Sequence, residues 1–275
     1  MSALCKVCQV SKSGFYGWKN RRESARAKSG RILSVKISEL FKLSRSTYGA
    51  IRIKKELDKQ AISCSKNRVA RLMRQLGLKS IHRRKFKVYT TDSKHNLPIA
   101  SNVINQDFTA SAVNQKWGSD ITYIETTEGW LYLAIVVDFY SRRIIGWAFD
   151  TCLHAKLACN ALEMALFRRK SPTRLIHHSD RGVQYASSQY TKILDANNFA
   201  QSMSRSGNCY DNAPVESCFH TVKVEGIYQF GILGIDQTKN LTIDYIENFY
   251  NSTRLHSSLD YLSPCEYESI NRRAA

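Results

Sequence analysis

The sequence predicts an α/β protein in two parts: a small all-α domain, then a mixed five-stranded sheet flanked by helices. Three observations carry this reading. Apolar residues recur at helical spacing through residues 31–79. From Trp117 onward, β-branched and aromatic runs alternate with short turns. Charge divides along the same line: residues 1–95 hold 25 of the 41 lysines and arginines but only 5 of the 23 acids, a net of +20, whereas residues 96–275 net −2.

Residues 1–30 read as a basic N-terminal segment whose end, SARAKSG (24–30), reads as a linker. RILSVKISELFKLS then places Ile32, Val35, Ile37, Leu40 and Phe41 mostly at helical spacing, and YGAIRIKKELDKQ does the same with Ile51, Ile53 and Leu57. SKNRVARLMRQLG opens on a candidate N-cap, Ser65, and stops at Gly77. Val69, Leu72, Met73 and Leu76 form its apolar stripe, and Lys66, Arg68, Arg71 and Arg74 occupy the remaining surface. Three helices over 31–80 ending in an arginine-studded one suggest a helix-turn-helix-like DNA-binding domain. A basic block beside a near-neutral body supports a polyanion partner, because each neutralised phosphate releases counterions. A solvated basic face is the alternative reading of the same charges. Residues 81–112 are a basic linker whose first part, IHRRKFKVYTTDSKHNLP, is expected to be irregular.

WGSDITYIET, WLYLAIVVDFY and RRIIGWAFD read as three antiparallel strands joined by short turns. LHAKLACNALEMALFRRK (153–170) is a helix, TRLIHH (173–178) a short strand, SSQYTKILDANN (187–198) a helix and FAQSMS (199–204) a strand. A helix follows from about Asn212 to Lys223, with Pro214 tolerated in its first turn. Three strands, helix, strand, helix, strand, helix is the order of a ribonuclease-H-like core, placed here at 113–230, with 231–275 as a helical tail.

No apolar run approaches the roughly 20 residues of a bilayer-spanning helix. The start, MSALCKVCQVSKSGFYGW, has too short an apolar stretch for a secretory signal, so a soluble chain without a membrane partner is expected. Eight scattered cysteines then read as thiols rather than disulfides. Cys5 and Cys8 have metal-ligand spacing, but no second pair lies near to complete a zinc site.

Three carboxylates could share one pocket. Asp120 falls within the first strand, Asp180 directly follows the fourth, and Glu216 lies in the first turns of the late helix, with His220 and Lys223 on the same face. If the first and fourth strands are neighbours, Asp120 and Asp180 approach across the sheet. Three such groups repel unless divalent cations neutralise them, and hard oxygen ligands suit Mg²⁺ or Mn²⁺. Each residue has a plainer reading: Asp120 as an exposed edge residue, Asp180 as a turn former, Glu216 as a first-turn helix acid. Asp138 and Asp150 also end strand-like runs, so composition alone does not single out the trio.

WGSDITYIET, HHSDRGVQY and NCYDNAPVESCFHTVK resemble the three blocks of the DDE transposase and retroviral-integrase superfamily, with 35 residues between Asp180 and Glu216, as is typical of that group. YNSTRLHSSLDYLSPCEYE resembles the tail of bacterial insertion-sequence transposases encoded by the second of two overlapping frames. YGAIRIKKEL and RVARLMRQLGL resemble their helix-turn-helix segment, and SKSGFYGW their N-terminal edge. The integrases' N-terminal His/Cys zinc module has no counterpart here, which favours the insertion-sequence branch. The resemblance implies that Asp120, Asp180 and Glu216 are the catalytic and metal-binding residues, holding two Mg²⁺ or Mn²⁺ ions. It implies DNA contacts near Lys223 and a DNA-proximal or structural part for Asn251, Arg254 and His256, with Arg254 taken as a DNA contact. His178 stands next to the site with no role assigned. The implied activity is cleavage at element ends and strand transfer. Its partners would be terminal-repeat and target DNA, a homo-oligomer on DNA, and the first-frame product, fused or separate. A cytoplasmic, nucleoid-associated location goes with this. The competing readings are a purely hydrolytic ribonuclease-H-like nuclease and a non-catalytic, transposase-derived DNA-binding regulator.

Overall fold

A computed structural model describes residues 2–81, 97–172 and 174–272, so residues 82–96 of the basic linker, expected to be irregular, lie outside the described residues. The chain divides into two compact units, residues 1–80 and 81–275.

The first unit is helical: α1 (Ser2–Val7), α2 (Lys12–Lys19), α3 (Ala25–Leu43), α4 (Ala50–Lys59) and α5 (Lys66–Gln75). The expected linker SARAKSG is instead the first two turns of α3. Ser24 caps that helix by accepting a hydrogen bond from the Ala27 N–H, 3.1 Å. Ala, Arg and Lys are good helix formers, so one interior glycine, Gly30, costs only about 1 kcal/mol. The N-terminal segment likewise holds α1 and α2, the latter capped by Ser11. On α3 the buried stripe is Leu33, Ile37, Leu40 and Phe41, one position round from expectation, and Ile32 and Val35 face solvent. Ile53 and Leu57 of α4 and Val69, Leu72 and Met73 of α5 complete this core. Ser65 caps α5 by accepting from the Arg68 N–H, 3.2 Å, and Gly77 ends it at φ +67°, as the sequence predicts.

The second unit is built on β1 (Lys116–Thr126), β2 (Gly129–Asp138), β3 (Ile144–Asp150), β4 (Ile176–Ser179) and β5 (Ala200–Met203), in the order β3-β2-β1-β4-β5. β1, β2 and β3 are antiparallel; β4 and β5 join parallel to β1. β4 starts later than predicted because Lys170, Ser171 and Arg174 hold left-handed φ angles that keep the chain turning. Helix α6 (Ala155–Arg169) lays Leu157, Ala158, Ala161, Leu162 and Ala165 on the sheet against Trp117, Ala134 and Val136. Two short helices, α7 (Val183–Ala186) and α8 (Ser188–Ala196), bridge β4 to β5. Helix α9 (Ala213–Thr221) packs on β1 and widens into a π-helical turn over Val222–Ile227. Helices α10 (Ile235–Asp244) and α11 (Pro264–Arg272) form the tail.

The tail is tied down by buried polar groups. Asn251 donates to the Ile144 carbonyl and accepts from the Ile144 N–H, 2.9 and 3.0 Å. Glu268 of α11 meets Arg143, Arg169 and Ser141. Among the described residues no helix is long and apolar enough to cross a membrane, and seven cysteines are free thiols.

Candidate active site

The parallel pairing of β1 with β4 runs from Lys116 opposite Ile176 to Ser119 opposite Ser179. Asp120 and Asp180 are the next residue on each chain, so the register sets the two carboxylates side by side at the end of the pairing. Among the described residues the β4 side of β1 has no strand partner beyond Ser119, which opens an edge at this point. The Ile121 N–H donates to Asp120 Oδ1, 2.8 Å, and the Gly182 N–H donates to Asp180 Oδ1, 2.9 Å. Asp180 is therefore a turn former and a neighbour of Asp120 at once.

Helix α9 is brought to the same edge by two contacts that precede the carboxylates in sequence. Asn212 Nδ2 donates to the Ser119 carbonyl, 3.3 Å, and Val215 lies over Gly118. A Cβ at Gly118 would stand 2.7 Å from Val215 Cγ2 and closer still to the Phe139 ring, so only glycine admits the helix there. Glu216, next to Val215, is exposed in the first turn. The loop before α9 is fixed by Asp211, fully buried, which accepts from Arg205, Gln106 and Asn102 at 2.8–3.0 Å and is held below the usual carboxylate range chiefly by Arg205.

The carboxylates feel one another. Burial pushes the Asp120 pKa up, Asp180 adds to this and Glu216 adds less, while the Ile121 N–H and Lys223 work against it. Glu216 is exposed as a residue, but partial desolvation of its carboxyl raises its pKa and Asp180 raises it further. Lys223, in the π-helical turn, is pulled down to about 8 by burial, with Asp120 opposing, and its Nζ lies 4.9 Å from the Tyr123 ring centroid. Among the described residues no three His, Cys, Asp or Glu side chains are already gathered around a common ion position. The arrangement is a cluster of acids that repel each other, with Glu216 its exposed member. Oxygen donors carrying that much unbalanced negative charge suit a hard divalent cation.

His177 and His178, next to Asp180 in sequence, are both fully buried. His177 Nε2 lies 2.9 Å from Ser119 Oγ and 3.0 Å from the Tyr190 hydroxyl. His178 reaches Ser202 Oγ through Nδ1, 2.9 Å, and Ser204 Oγ through Nε2, 3.2 Å. Burial lowers their pKa values to about 3 and about 4, so both are neutral pins that hold β1, β4 and β5 together behind the carboxylates. Sequence reasoning passed over Gly118, Asp211 and Asn212. The readable signal was the Asp-Asn-x-Pro run before Glu216, a helix start.

Arg254 is held by the protein itself. It is 6% exposed and forks onto Glu225 with two hydrogen bonds of 2.7 Å, while Tyr245 donates to the same carboxylate. Its guanidinium ties the tail to the π-helical turn. In the first unit, Lys66, Arg71 and Arg74 are exposed, and Arg68 is half-buried with Nη2 on Ser29 Oγ, 3.0 Å.

Known proteins match along almost the whole chain. An integrase core domain model matches residues 110–209, a second integrase core domain model matches 216–271, and an HTH-like domain model matches 29–86. Transposase InsF for insertion sequence IS3A of Escherichia coli (strain K12) is 42% identical over 273 residues, covering 98% of this chain and 94% of that one. The insertion element IS600 uncharacterized 31 kDa protein of Shigella sonnei is 41% identical, covering 99% of this chain and all of that one. Among solved structures, a chain of the simian T-cell lymphotropic virus intasome in complex with PP2A regulatory subunit B56 gamma aligns over 84% of this chain and 74% of its own, with TM-score 0.51 and 13% identity, a likeness of fold.

Proposed function

The chain belongs to the insertion-sequence transposases built on an integrase core domain, and we propose that Asp120, Asp180 and Glu216 carry its chemistry: nicking DNA at the ends of its own element and joining the freed 3′-OH to a second strand. The activity is integrase-type nucleotidyl transfer. One observation carries the assignment of residues. The register of β1 on β4 sets Asp120 beside Asp180, and Gly118 and Asn212 bring α9 with Glu216 to the same edge.

Asp120, Asp180 and Glu216 would hold Mg²⁺ or Mn²⁺, two ions in this reading, which supply activation of the attacking hydroxyl and neutralisation of the leaving oxygen in an in-line displacement. The protein's own groups do the positioning. Lys223 brings an ammonium beside Asp120 where a phosphate of the DNA end would pass. Lys66, Arg68, Arg71 and Arg74 on α5 contribute phosphate contacts that fix the protein on its DNA. The assembly on terminal-repeat and target DNA is a homo-oligomer, with the first-frame product fused or as a partner. The purely hydrolytic and the non-catalytic readings are not favoured by relatives named as transposases over 98% of the chain.

The test is strand transfer by the purified chain with Mg²⁺ and DNA bearing the element ends. The wild-type protein should join ends to target, and Asp120→Asn should yield no joined product. An Asp120→Asn protein as active as wild type would remove Asp120 from the mechanism.

A further inference from the structure

Toward the turn that joins β1 to β2, the strand pair carries aromatic rings that the core does not use. Tyr123 is their mount: Trp130, from the adjacent strand, meets its ring edge-on at 5.0 Å and 88°, while Lys223 covers it at 4.9 Å. Tyr228 lies in the turn after the π-helical segment. Burial first, then Tyr123 and Glu125, push its hydroxyl pKa up. Trp130 is nevertheless 49% exposed, Tyr228 42% and the adjacent Phe230 50%. Large rings fixed by neighbours yet open to solvent are poor core and good stacking surfaces.

Their place relative to Asp120 decides what they would meet. Lys223 acts electrostatically on Asp120 and also lies over Tyr123, so one side chain joins the acid cluster to the rings. Trp130 stands opposite Glu125 in the sheet, five residues along from Asp120, roughly 17 Å at about 3.3 Å per residue. That is about five nucleotide steps at ~3.4 Å each along one DNA strand. A strand whose phosphate sits at the carboxylates therefore presents a nucleotide about five steps away to Trp130. A paired base hides both faces in the duplex stack, so a ring can meet only a base that has left it.

We propose that Trp130, mounted on Tyr123 and Lys223, forms a stacking platform for unpaired nucleobases about five nucleotides from the cleaved DNA end. The platform takes any base by its π-face and so holds the end open without reading its sequence. Lys223 supplies the phosphate contact between the platform and the carboxylates.

The inference rests on the transposase reading and is tested with the full chain and two probes that need no knowledge of the element's repeats. One is a blunt 20-base-pair duplex. The other is the same duplex with about its last six base pairs replaced by mismatched thymines and one 2-aminopurine. The wild-type chain should bind the forked probe more tightly and quench the 2-aminopurine. Trp130→Ala should cut forked-probe affinity about tenfold and restore the fluorescence, while blunt-duplex affinity stays within twofold. Trp130→Phe, which keeps a ring, should retain most of the quenching. Equal binding of both probes by wild type, or an equal loss on both in Trp130→Ala, would overturn the platform and leave the transposase reading standing. If Trp130→Ala changed neither affinity but altered the oligomeric state by light scattering, the rings would be an interface between copies, and the platform would again be refuted. A wild-type chain that bound neither probe would count against the functional reading itself, and the platform with it.

Discussion

Replacing Gly118 by alanine tests whether the approach of α9 to β1 sets the site. The new Cβ would stand 2.7 Å from Val215 Cγ2, whereas relaxed carbon contacts lie at about 3.5–4.0 Å. Phe139 cannot simply turn away, because it is buried and packs edge-on against Phe108 at 5.5 Å. Helix α9 must then retreat by about 1 Å, at an overpacking cost of about 1–3 kcal/mol. In a unit of this size, 2 kcal/mol lowers the Tm by roughly 4–8 °C. Glu216 moves with Val215, and a displacement of about 1 Å at a catalytic group costs on the order of a hundredfold in rate. Thermal melting and single-turnover strand transfer measure the two effects together. A Gly118→Ala protein that melts with wild type and transfers strands at the wild-type rate would refute the argument. A lowered Tm with a full rate would keep the packing and discard the claim that it positions Glu216.

Three further outcomes follow from the same contacts. His177 is held at a pKa of about 3 in the fold against about 6.5 unfolded, so the unfolded chain takes up the extra proton and stability falls as pH drops below 6.5. The stability lead of wild type over His177→Gln should shrink by about 1.4 kcal/mol per pH unit between 6.5 and 4.5 in denaturant melts; a constant lead would contradict this. Arg254→Ala leaves Glu225 buried without its guanidinium partner and should cost about 3–5 kcal/mol. Unchanged stability with weakened DNA binding would instead make Arg254 a DNA contact. Changing Arg68, Arg71 and Arg74 together to alanine should reduce the slope of log affinity against log salt by about 2.7, at ~0.9 per phosphate contact, in filter-binding titrations. An unchanged slope would place the DNA surface elsewhere.

The parts of the fold legible in the sequence are those written in local spacing. The stripe of Val69, Leu72 and Met73 and the cap at Ser65 defined α5, and the β-branched runs defined β1 to β3. SARAKSG misled because serine and glycine also punctuate loops, and only the hydrogen bond from Ala27 to Ser24 shows which role the serine plays. The neighbourhood of Asp120 and Asp180 was legible only as a condition, since strand register depends on residues far apart in the chain. Asp138 shows the same limit from the other side. It ends β2 as suggestively as Asp120 sits in β1, yet it is buried with Arg169 beside it and the Asn114 and Tyr140 N–H groups donating to it. Arg254 and Asn251 were open because their partners, Glu225 and Ile144, lie 29 and 107 residues away and leave no local pattern.

The most direct test of the central claim reads metal binding without catalysis. Thermal melts of wild type, Asp120→Asn, Asp180→Asn and Glu216→Gln are recorded without metal and then with rising Mg²⁺ or Mn²⁺. If the three carboxylates form one cation site, wild type melts higher as metal is added, because an ion bound only by the folded state stabilises it. Each variant should lose most of that increment, and Asp120→Asn should melt at or above wild type without metal, since its removal relieves the repulsion with Asp180. Variants that keep the full metal-dependent rise would contradict the assignment.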